Sequence, residues 1–200
     1  VMFIGAVNIY LFNDYFESTA ALRVYGVVQS VAAFAVMPLI APLVAKFGKK
    51  EISSFGLVLA AVAYYALFFM KDLSGMGFVA LAAVGLFGIA FFNTVVWAFV
   101  TDVIDYHELL TGLREDGTVY SIYSFSRKVG QAIAGGIGGA AIAAVGYSAG
   151  AAQQAESTLN GIHTLGTLIP AIVYTLILIV LVFLYPLTKK RTEEMNVELA

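Results

Sequence analysis

Two hundred residues with 60% apolar side chains, 12% charged ones and a net charge of −2 do not describe a soluble domain, in which about a quarter of residues are charged. The mean hydropathy of +0.89 means more apolar surface than the core of one such domain can hide, so a bilayer must serve as solvent. The lack of a basic excess excludes nucleic acid as a partner, and the absence of cysteine excludes disulfides, thiolate metal sites and thiol catalysis.

A helix needs about 20 mainly apolar residues to cross a hydrocarbon core of ~30 Å. Six stretches meet or approach this: 1–16, 20–45, 52–70, 77–101, 119–146 and 163–186. The first is already apolar at Val1, without an initiator Met or a charged leader. The expectation is a piece of a longer protein that lacks its upstream part. This span offers Asn8 and Tyr10 as hydrogen-bonding groups before Asn13-Asp14 mark its exit. Pro38, Pro42 and Pro170 fall inside spans, where membrane helices tolerate the kink. The runs are long and continuous, unlike the ~10-residue alternations of a membrane barrel. The expected fold is therefore all-α and integral to the membrane: a six-helix bundle over 1–187 and a charged tail over 188–200.

Lysine and arginine set the orientation. With six spans, loops 46–51 and 102–117 share one side with the tail. That side holds Lys46, Lys49, Lys50, Arg114, Lys189, Lys190 and Arg191, whereas the other side holds Arg23 and Lys71. Basic residues mark the cytoplasmic face, which places the C-terminus there.

In the fourth span Asn93 and Trp97 lie one turn apart, with Thr94 beside them. Asparagine is costly in lipid unless it is bonded or wetted. Tryptophan supplies a flat apolar face for a sugar ring and an N–H donor, although an interfacial Trp near a helix end is equally consistent. A dense cluster follows: Asp102, Asp105, His107 and Glu108, then Arg114. Asp102 and Asp105, at i and i+3, share a helix face. One reading is a membrane enzyme whose divalent metal is held by Asp102, Asp105, His107 and Glu108. The favoured reading is a cytoplasmic gate, with carboxylates pairing to Lys46, Lys49, Lys50 or Arg114 in one conformation. Only one acidic cluster is present, and a metal–pyrophosphate site would want a second.

The fifth span contains Lys128, about 13 Å from Val119 at 1.5 Å per residue. A lysine near a helix centre costs about 2.5–3.5 kcal/mol to insert and marks a transport pathway by default. Tyr120, Ser124, Lys128 and Gln131 form one polar stripe, bordered by Arg127. Snorkelling to the headgroups is the alternative, but it does not require Ser124 and Gln131 on the same face. Gly130, Ala134 and Gly138, with Gly135 and Gly139, have the spacing of close helix packing.

Together these residues resemble a known family. Trp97, Asp102, Asp105-Tyr106, Glu108, Thr111-Gly112, Arg114 and Gly117, then Lys128, Gly130 and Gly146-Tyr147, look like the glycoside–pentoside–hexuronide:cation symporters. These are the melibiose-permease relatives within the major facilitator superfamily. Phe47-Gly48-Lys49-Lys50 also resembles the family's loop. The resemblance covers nearly the whole chain and implies the C-terminal half of a twelve-helix transporter of the inner membrane. Such a protein is no enzyme and needs no cofactor beyond its coupling ion. Its partners are the bilayer, a sugar or glycoside bound between the two halves, and Na⁺ or H⁺ driving uptake. Lys128 falls on the family's polar-pocket lysine, and the cation-binding acids belong to the other half. Arg127 is not matched to a family feature. If it also faces the pocket, a second positive charge favours an anionic sugar such as a hexuronide.

Overall fold

The structure is a computed structural model describing residues 2–151 and 153–198. Val1, Ala152, Leu199 and Ala200 lie outside the described residues; they fall in the first predicted span, the loop 148–160 and the tail. The described residues form α1 (Met2–Tyr10), a π-helical turn (Leu11–Tyr15), α2 (Thr19–Phe47), α3 (Lys49–Phe69), α4 (Gly75–Thr111), α5 (Asp116–Ala144), α6 (Glu156–Phe183) and α7 (Lys189–Glu198).

Four of these, α2, α3, α4 and α6, are long and apolar enough to cross a membrane. The six-span expectation is therefore met in part. The first predicted span is nine α-helical residues and a five-residue π turn, about 21 Å at 1.5 Å per residue. The fifth has the length, at 29 residues, but Arg127, Lys128 and the polar residues on its stripe lower its apolarity.

Three features differ from the sequence reading. The fourth helix does not stop at residue 101 but runs 37 residues to Thr111. The acidic cluster thus sits on a helix rather than in a loop. Nothing before Gly112 breaks the pattern, and Gly112 ends it with a left-handed φ of 69° while its N–H caps the Glu108 carbonyl at 2.8 Å. The sixth helix begins at Glu156, an acid favourable to a helix N-terminus. The tail is not simply solvated: its α7 carries Lys189–Glu193 and Lys190–Glu194 pairs at i, i+4 and buries Met195 completely.

The core centres on α3, which packs on α4 and α6. Its sequence is lined with small residues, and Gly56 faces Gly88 so closely that a Cβ on either would collide with the other's carbonyl oxygen. Gly85 likewise leaves room for the Tyr64 ring, whose atoms would lie 2.8 Å from an added Cβ. Small residues at a helix crossing let backbones approach and gain dispersion contacts that lipid cannot supply. Gly48 alone joins α2 to α3; its φ of 105° suits glycine. In α5 the small-residue stripe finds less than expected. Gly138 approaches Ala6 of α1, but Gly130, Gly135 and Gly139 face open space.

Candidate functional site

A cavity of about 510 Å³ opens between α1, α2, α4 and α6, within the range of small-molecule sites. Helical periodicity builds its walls. On α4, Leu86, Ile89, Ala90, Asn93, Thr94 and Trp97 recur at three- and four-residue steps and so share one face. On α2 the same spacing brings in Leu22, Tyr25, Gly26, Gln29, Ala33 and Met37, while α1 adds Asn8 and α6 adds Tyr174. Tyr25 and Tyr64 share a 2.9 Å hydroxyl hydrogen bond, and Tyr64 meets Tyr174 edge-on at 5.5 Å. The lining thus offers amide, hydroxyl and indole groups against an apolar background, and none of it is charged.

The structure brings Asn8, Asn93 and Trp97 together on this cavity. Tyr10 is not among them: its ring packs edge-on against Tyr147 at 4.8 Å. Tyr120, Ser124, Arg127, Lys128 and Gln131 lie on α5 outside the lining. Of α5, Tyr120 and Tyr123 reach the cavity's edge, their ring centroids 6.2 and 5.2 Å from that of Trp97. The Arg127 guanidinium lies 5.2 Å from the same indole ring. Lys128 is exposed and bonds no other side chain among the described residues. Sequence reasoning missed Tyr25, Gln29 and Tyr174. The first two stand one turn apart in an apolar span, and that spacing was a usable signal; Tyr174 had none.

The acidic cluster divides into separate pairs. Asp102, 3% exposed, accepts a 2.5 Å bond from Lys49 Nζ and a 3.3 Å bond from the Tyr185 hydroxyl. Asp102 thus ties α4 to the start of α3 and the end of α6. One helical turn on, Arg114 donates to Asp105 at 3.1 Å, Glu108 at 2.7 Å and Asp116 at 3.1 Å. Glu108 first, then Asp105 and Asp116, hold that guanidinium above its ordinary pKa. His107 turns instead to Glu115 at 3.0 Å. The four residues of the metal reading therefore do not converge, and among the described residues no group of three such side chains is placed to hold a metal. Lys50 also departs from the expectation. Its ammonium caps the end of α6 at the Val182 and Tyr185 carbonyls, 2.9 and 2.7 Å away. Lys46 lies over the Phe47 ring instead of a carboxylate.

An apolar helical bundle whose cavity carries a few hydrogen-bonding groups suits solute passage, and comparison with known proteins agrees. Residues 1–189 match the family described as MFS/sugar transport protein. The chain belongs to that family. Its relatives within the family include a glucuronide carrier protein homolog of Escherichia coli, 36% identical over 95% of this chain and 40% of that protein. A putative sulfoquinovose importer of the same organism is 36% identical over 84% of this chain and 36% of the importer. A putative glycoside/cation symporter, also of Escherichia coli, is 40% identical over 54% of the chain and 24% of its own length. The chain thus spans about two fifths or less of these relatives' lengths. The family match bears out the resemblance read from the Asp102–Gly117 and Lys128 motifs, and the chain is a multi-pass membrane protein of a sugar-transport family.

Proposed function

We propose that this chain forms the C-terminal six-helix half of a secondary transporter that couples sugar uptake to Na⁺ or H⁺ by alternating access. The observation that carries the reading is the open, uncharged, hydrogen-bonding cavity on the face of α4 that carries Asn93 and Trp97. Around it α2 and α5 leave Phe34, Met37, Ile122 and Phe125 exposed, apolar surface that a second six-helix half would cover. In this reading α1 with its π turn and α5 are the first and fifth spans, and Lys128 faces carboxylates of the other half. The test is sugar uptake by the full-length transporter in proteoliposomes under an imposed Na⁺ or H⁺ gradient. Uptake indifferent to both gradients would remove the symport reading.

The basic-residue asymmetry supports an inner-membrane protein whose α4–α5 connection and C-terminal tail are cytoplasmic. A reporter fused after Glu115 is expected to read cytoplasmic and one near Gln154 periplasmic. The reversed pattern would discard the orientation and, with it, the gate.

The gate itself is the set of pairs Lys49–Asp102 and Arg114–Asp105, which hold one conformation and must break in another. Asp105→Asn is expected to slow transport several-fold while sugar affinity changes less than about twofold, because a gate biases an equilibrium without touching the ligand. Surface pairs contribute little to stability, so expression should be unchanged. A matching loss of sugar affinity would place Asp105 in the binding site instead.

A further inference from the structure

We propose that Tyr64, which does not line the cavity, is a positioning residue that makes the Tyr25 hydroxyl a directed hydrogen-bond donor toward the solute. The inference rests on the transporter reading above. Tyr25 of α2 and Tyr64 of α3 share one hydroxyl–hydroxyl bond of 2.9 Å. Each phenol brings one proton, and the bond uses only one of the two. Were Tyr25 the donor, the Tyr64 proton would be left over. Tyr64 is 1% exposed, and among the described residues its hydroxyl has no second hydrogen-bond partner. A buried donor left unpaired is costly. With Tyr64 as the donor, the spare proton belongs to Tyr25, which lines the cavity and finds an acceptor in water or solute. Asn8, another lining residue, has its side chain beside the same hydroxyl. Burial therefore sets the polarity: Tyr64 gives to Tyr25, and Tyr25 gives to what fills the cavity.

The packing around Tyr64 holds it to this role. An added Cβ at Gly85 of α4 would lie 2.8 Å from its ring, and Tyr174 of α6 meets that ring edge-on at 5.5 Å. Clamped between two helices, the ring gives its hydroxyl one position. The consequence for Tyr25 is chemical. A hydroxyl that accepts a bond becomes a stronger donor, and one whose direction is already fixed loses less freedom when a solute arrives. Without Tyr64 the Tyr25 O–H would be free to turn about its C–O bond.

Equilibrium binding of methyl glucoside and methyl glucuronide to the purified full-length transporter tests this, with thermal melting followed in parallel. The tighter-binding of the two serves as the probe. Tyr25→Phe should weaken it about three- to tenfold, the scale of one uncharged hydrogen bond. Tyr64→Phe should weaken it about threefold or more, although that residue touches no sugar. The double variant should bind no worse than Tyr25→Phe alone, because both changes remove the same directed donor. Melting separates this from a plain helix tie. Tyr25→Phe strands the buried Tyr64 proton and should melt lower, whereas Tyr64→Phe leaves Tyr25 facing the cavity and should melt close to the unmodified protein. Unchanged affinity in either single variant, or losses that multiply in the double one, would overturn the proposal and leave the bond a tie between α2 and α3. A Tyr64→Phe variant melting below Tyr25→Phe would reverse the polarity and overturn it as well. Binding of neither sugar by the unmodified protein would overturn the sugar-transport reading together with it.

Discussion

Lys128→Leu is expected to leave the transporter abundant in the membrane and reduce cation-driven uptake by about a hundredfold or more. The substitution removes a charge whose insertion costs about 2.5–3.5 kcal/mol, so insertion should hold or improve. In the proposed symporter uptake would suffer because carboxylates of the other half would lose their counter-charge. Orphaning one member of a buried ion pair costs about 3–5 kcal/mol, and each 1.4 kcal/mol is about tenfold. The unpaired acids would take up protons or retain the cation unproductively. Lys128→Arg should recover little, because a planar fork does not replace a compact ammonium. The measurement is gradient-driven uptake with surface abundance followed in parallel. Near-normal uptake by Lys128→Leu would mean that the side chain only snorkels.

Gly88→Leu is expected to abolish the folded protein, and Gly56→Leu to do the same. A Cβ at either position runs into the carbonyl oxygen of the other glycine, and the backbone cannot move aside as a flexible side-chain end can. Overpacking a core costs about 1–3 kcal/mol where side chains can yield, and more where they cannot. Since α3 is the hub between α4 and α6, separating α3 from α4 opens the whole core. Gly117→Ala, at a position with nothing within 4 Å, is the matched control and should melt like the unmodified protein. Thermal unfolding of the full-length protein in detergent gives the readout. A Gly88→Leu variant that melts normally would show that the α3–α4 crossing is not the close contact described.

The membrane class, the helical content and most helix positions were legible in the amino-acid sequence alone. They depend on local quantities: apolar runs of bilayer length, and Gly, Asn and Asp at their ends. The Asp102–Lys128 motif was also legible, because a family's motif is contiguous in the chain. Where the reading failed, the missing information was not local. The fourth helix runs on to Gly112 because nothing before it breaks the helix, but the pairing of Asp102 with Lys49, 53 residues away in sequence, is not local. Lys50 goes to the carbonyls of α6 instead of to a carboxylate, and His107 turns to Glu115, away from Asp102 and Asp105. The close helix contact was sought in the glycine stripe of α5, yet it lies between Gly56 of α3 and Gly88 of α4. Spacing alone shows that a helix can be approached, not which neighbour approaches it. The cavity is the clearest case: Asn93 and Trp97 could be singled out as costly in lipid, but Tyr25, Gln29 and Tyr174 join them only when α2, α4 and α6 are packed side by side. Hydropathy and periodicity are properties of one helix, whereas a binding site belongs to the space between several.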